Sequence, residues 1–118
     1  MKLDEIRAWQ KAKEFAVEIY RLDFDNSDLQ QIIREVSLQI SINIAKGFEK
    51  SSSQEFLKFL HLAQESCSAV KNLIYVAYDL NFLSDTDRDR LFELSEETTK
   101  LTGGFIKHLK TKLATPTE

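Results

Sequence analysis

One proline and three glycines stand among the 118 residues. Sheet proteins draw on both residues for tight turns, and helix interiors exclude both. Their scarcity therefore argues for helices. Cys67 is the one cysteine, which excludes an internal disulfide and points to a reducing, cytoplasmic setting. The only histidines, His61 and His108, belong to neither an HExxH nor a Glu-x-x-His pair. A di-iron bundle also needs inward carboxylates, and the inward positions here read as Phe, Leu, Ile, Val and Ala. No metal or cofactor is expected. No uncharged apolar run approaches the ~18 residues of a membrane span. The opening Met1-Lys2-Leu3-Asp4-Glu5 lacks the apolar core of a signal peptide.

An excess of one charge is missing too. Sixteen basic side chains face 19 acidic ones, for a net charge of −3. Strong general nucleic-acid binders are usually basic, because phosphate neutralisation drives their affinity. The balance lowers that expectation and leaves room for a local patch. Over residues 1–26, 27–50, 51–83 and 84–118 the basic and acidic counts never differ by more than one, so no segment is polarised.

What is present is helical periodicity. Apolar residues make up 42% and charged residues 30%, as in an ordinary globular chain. The length suits one domain, read as 1–113 with a frayed tail at 114–118. Side chains at three- and four-residue steps share a helix face. Ile6, Trp9, Ala12, Ala16, Ile19 and Tyr20 predict a first helix over 4–22. Leu29, Ile32, Ile33, Val36, Ile40, Asn43, Ile44 and Gly47 predict a second over 27–47, with Ser27 and Gln30 at capping-box spacing. Phe56, Phe59, Leu60, Ala63, Cys67, Val70, Leu73, Ile74, Ala77 and Leu80 predict a third over 52–80, with Ser52 and Glu55 as its box and Asn81 suited to end it. Leu91, Leu94, Thr98, Leu101, Phe105, Leu109 and Leu113 predict a fourth over 85–113, with Ser84 as cap. Gly103-Gly104 falls inside it, which implies a bend or a close backbone neighbour. Short connections make neighbours antiparallel, so the expected fold is an all-α, up-down-up-down four-helix bundle.

Catalytic chemistry is not evident. Cys67 lies on the third stripe as a small hydrophobe. Ser51-Ser52-Ser53 has no glycine-rich loop beside it, and capping accounts for Ser52. His61 and Glu65 read as a solvated i,i+4 pair. No small-molecule substrate and no enzyme activity are expected. Phe15 and Phe92 are candidates for the edge of the core.

Two features exceed a plain bundle. Residues 36–45 hold no charge, and a second row of Leu38, Ile42 and Ala45 lies off the main face. In a lone bundle about half of this helix would face water, and such a patch usually marks an interface. Leu38, Ile42 and Ala45 are thus a candidate surface for self-assembly. The other feature is Asn43, with Ser41 and Ser66, among apolar neighbours; a buried amide must find partners and can set helix register.

The blocks Trp9-Gln10-Lys11-Ala12, Ile40-x-x-Asn43-Ile44-Ala45-x-Gly47 and Ser53-x-x-Phe56-Leu57-x-Phe59-Leu60-x-x-Ala63-x-x-Ser66 carry a resemblance over about residues 4–110. The chain resembles the bacterial four-helix-bundle proteins encoded in intervening sequences of 23S ribosomal RNA genes, and is similar to the accessory protein of diversity-generating retroelements. Trp9, Asn43, Gly47, Phe56, Ala63 and Ser66 are its structural marks here. The resemblance implies a bundle that assembles as a ring, often a pentamer. The retroelement relative binds nucleic acid and a reverse transcriptase, so RNA, DNA or another protein are the implied partners. Lys46, Lys50 and Lys58, and separately Lys107, Lys110 and Lys112, are the candidate nucleic-acid contacts.

Overall fold

The computed structural model describes residues 1–114. A 3-10 turn, Leu3–Glu5, precedes four helices: α1 (Arg7–Tyr20), α2 (Ser27–Phe48), α3 (Ser53–Asp79) and α4 (Asp85–Ala114). No strand occurs among the described residues. Helix α4 includes Ala114, one residue into the expected tail; the rest of that tail, 115–118, lies outside the described residues.

The helix starts show which local signals operate. Ser52 Oγ accepts from the Glu55 N–H at 3.1 Å, and Ser84 Oγ accepts from the Asp87 N–H at 3.0 Å. Each satisfies a donor that the first turn leaves free. Helix α2 departs from expectation. Its cap is Asn26, whose Oδ1 accepts from Leu29 N–H at 2.9 Å. Gln30 turns outward instead and accepts from Phe24 N–H at 2.6 Å, which pins the α1–α2 loop. The first helix begins late, at Arg7, because Ile6 takes an extended conformation and turns its side chain into the core, where it is buried. Helix α3 ends as expected at Asn81, whose φ of 65° lets Phe82 N–H return to the Ala77 carbonyl at 2.9 Å.

Each helix packs on its sequence neighbours, and α1 and α4 close the square. Side-chain pairs give the directions. Lys11 meets Glu97 while Glu14 meets Arg90, so α1 and α4 run oppositely. Lys71 meets Glu96 while Phe56 meets Phe105, so α3 and α4 do as well. The result is a rod of 57 × 20 × 20 Å. Its core holds Phe15, Ile19, Ile33, Ile40, Ile44, Leu60, Val70, Ile74, Leu91 and Leu94.

Several expected faces are corrected by this packing. Phe15 is fully buried, not at the edge, because α1 rolls toward Ala8, Ala12 and Phe15. The same roll leaves Tyr20 exposed, and Ile32, Leu80 and Leu113 also face out. Phe92 is half-buried against Tyr75 at 4.8 Å. Within 36–45 only Gln39 is exposed; the rest are buried or half-buried, so α2 sits deeper than half its circumference in water. Asn43 Nδ2 donates within α2, to the Gln39 carbonyl at 2.9 Å.

The glycines separate two physical cases. A Cβ on Gly47 would lie 2.6 Å from Phe56 Cδ1 and 2.9 Å from Phe59 Cβ, so α2 and α3 touch backbone to ring there. A Cβ on Gly103 meets only Gln64 Nε2 at 3.5 Å, and one on Gly104 meets nothing within 4 Å. No neighbouring backbone explains that pair. Gly47→Ala should therefore cost about 1–3 kcal/mol through overpacking, whereas Gly104→Ala should add about 0.5–1 kcal/mol. Urea denaturation of both variants checks the opposite signs.

Candidate functional site

Antiparallel packing brings the end of α2, the start of α3 and the end of α4 to one end of the rod. Both expected lysine groups meet there. Lys46, Lys50, Lys58, Lys107, Lys110 and Lys112 are all exposed. Phe56 joins them structurally: its ring packs edge-on against Phe48 at 6.4 Å and tilted against Phe105 at 5.2 Å. Lys50 Nζ lies 5.2 Å from the Phe59 ring centre, and Lys58 Nζ pairs with Glu55 at 3.3 Å. Exposed His108 stands edge-on to Phe105.

The charge separation was invisible along the chain. Residues 1–13, 41–66 and 99–114, which build this half, carry 11 cations against five carboxylates. Residues 14–40 and 67–98, which build the other half, carry 13 carboxylates against five cations. At the acidic end Tyr78 donates to Asp85 at 2.7 Å, and that hydrogen bond raises the phenol's pKa above its usual value. Arg88 stacks on the same ring at 4.3 Å. Such segregation creates a field along the rod that attracts anions to one end and repels them from the other.

Between the ends, α1 is held by groups that periodicity did not single out. Lys11 contacts both Glu14 and Glu97 at 2.9 Å, and these hydrogen bonds, Glu14 first, raise its pKa. Arg34 Nη2 donates to the Tyr20 and Leu22 carbonyls at 2.9 and 3.0 Å, closing the end of α1. Spacing analysis misses such contacts because they join charged residues across different helices.

The candidate assembly residues Leu38, Ile42 and Ala45 are half-buried. Leu38 still reaches the surface, in an apolar cleft of about 410 Å³ shared with Ala16, Val17, Tyr20 and Ser41. Val17 and Tyr20 are each 42% exposed on its rim. Neither was expected to carry a surface role. Val17 lies one step off the buried stripe, and the roll of α1 turned Tyr20 outward.

A family model described as 23S rRNA-intervening sequence protein matches residues 4–104. The chain belongs to the 23S rRNA-intervening sequence protein family. It also shares its fold with a protein of unknown function from the S23 ribosomal protein family of Bacteroides thetaiotaomicron, solved by crystallography. That likeness has a TM-score of 0.76 at 20% identity and covers 85% of this chain and 98% of the other. No curated protein matches the chain by sequence. The marks that first suggested the 23S rRNA-intervening sequence family are mainly packing positions. Ile44 and Ala63 are fully buried, Gly47 receives the Phe56 ring, Asn43 bonds within its helix, and Trp9 and Ser66 are half-buried.

Cys67 is buried as its stripe position predicted, and burial pushes its thiol up to about 11. Raising a thiol's pKa keeps it protonated as pH rises, and only the thiolate is nucleophilic. Iodoacetamide at pH 8 should therefore alkylate native Cys67 at least about 100-fold more slowly than the urea-unfolded chain, two pKa units being two decades of thiolate. Mass spectrometry of timed samples reads the rates.

Proposed function

We propose that this member of the 23S rRNA-intervening sequence family is a non-enzymatic, cytoplasmic interaction protein that assembles with copies of itself. The α1–α2 cleft is the observation that carries the reading. Aromatic and aliphatic side chains line it, together with Lys13 and Arg21, and its volume is about 410 Å³. Interfaces commonly have this anatomy, an apolar anchor pocket inside a polar rim. In a ring, of five subunits on the family resemblance, this cleft would meet a different face of the next copy.

Native mass spectrometry at micromolar concentration should give a discrete oligomer, and a clean monomer would overturn the reading. Val17→Glu places a charge on the rim without touching the core, so it should dissociate the assembly while circular dichroism stays helical.

The lysine-rich end supports a second reading, in which the assembly binds RNA or DNA. A ring would gather several copies of Lys107, Lys110 and Lys112 on one face. Affinity should then fall at least about tenfold between about 50 and about 200 mM salt. Converting those three lysines to Glu should weaken binding by a similar factor in a gel-shift titration. An absence of any shift at the lower salt counts decisively against this reading.

A further inference from the structure

The outer seam between α3 and α4 holds a separate cleft of about 340 Å³, which shares no lining residue with the apolar cleft and none of the six lysines named at the rod's end. Cys67, Ser68, Lys71, Ser95, Thr99 and Lys100 line it. Three hydroxyls and two ammonium groups thus belong to its lining residues. Glu96 also reaches the cleft and sits 3.9 Å from Lys71, which leaves that cation paired.

Two groups in the cleft lack partners. Ser95 is 1% exposed, yet its Oγ makes no hydrogen bond. Its neighbours in α4 behave differently: Thr98 and Thr102 donate to the Leu94 and Thr98 carbonyls at 2.7 and 2.8 Å. A buried hydroxyl without a partner is uncommon, because it has lost water and gained nothing. Lys100 is the other, with no ion pair or hydrogen bond among the described residues. The two line one cleft, and an ammonium and a free hydroxyl are both donors that an oxyanion can accept from.

We propose that the α3–α4 seam is a binding site for a small monocarboxylate, held by the Lys100 ammonium and the Ser95 hydroxyl, with Ser68 and Thr99 as further donors. The charge balance selects the class. Lys71 and Lys100 against Glu96 leave one net positive charge, which matches a carboxylate and disfavours a phosphate dianion beside Glu96. The cleft has room for several heavy atoms beyond the carboxylate. The Cys67 thiol stays protonated and contributes packing and a weak donor, not a nucleophile.

Titration of the ¹⁵N-labelled full chain with acetate, followed by amide chemical shifts at constant ionic strength, tests the site. Saturable shifts confined to the Ser68, Ser95, Thr99 and Lys100 amides are expected. Lys100→Gln should weaken them about tenfold and Ser95→Ala several-fold, losses of a size usual for a charge-assisted and a neutral hydrogen bond. The control Lys110→Gln, in the lysine-rich end, should leave them unchanged. Inorganic phosphate in place of acetate should bind more weakly. Unsaturated drift across all lysine-rich segments, equal responses in the variants, or phosphate binding tighter than acetate would each overturn the assignment.

Discussion

Gly47 has no side chain, and the space that a Cβ would need is taken by the Phe56 ring and the Phe59 Cβ. That contact sets the distance between α2 and α3 at one end of the rod. From there Phe56 packs against Phe48 of α2 and Phe105 of α4, so one ring ties three helices together. The position of every lysine at that end follows from this arrangement. Lys46 and Lys50 flank the glycine, Lys58 follows the ring by two residues, and Lys107 follows Phe105 by two. The lysine-rich end is therefore a consequence of core packing.

The opposite end is built from the same principle with opposite charge. Carboxylates that begin α4 suit the positive end of its dipole, and lysines that end it suit the negative end. Antiparallel packing then sets the acidic start of α4 beside Asp79 of α3 and the Asp23 and Asp25 loop. A bundle of this kind has no interior charge to place, since its buried polar groups are hydroxyls and one amide that nearly all bond within their own helices. Ser95 is the departure from that rule.

Much of the fold was legible in the sequence because apolar periodicity and capping act locally. Ser52, Ser84 and Asn81 did what their positions implied, and the buried face of α3 matched its stripe through Ala77. Errors arose where two local choices were nearly equal. Asn26 and Ser27 are both good caps, and the demand of Phe24 for a hydrogen bond drew Gln30 away from Ser27. On α1 the stripes through Trp9 and Phe15 are both apolar, and only the neighbouring helices decide which one turns inward. The candidate surfaces were less legible. Val17, Tyr20 and Leu38 come from two helices, and Ser95 and Lys100 share a cleft with α3 residues distant in the chain.

The sequence by itself determined four helices and most of their ends, a core free of ionisable groups apart from the Cys67 thiol, and the family, since each depends on spacing within one segment. Only the tertiary structure decided the charge separation, the apolar cleft and the polar seam. A linear count averages charges that lie far apart in space, and periodicity reports which way a side chain points without saying what stands opposite. The segments balance almost to zero along the chain, yet stacking their ends in alternating directions sorts the same charges into two halves of opposite sign.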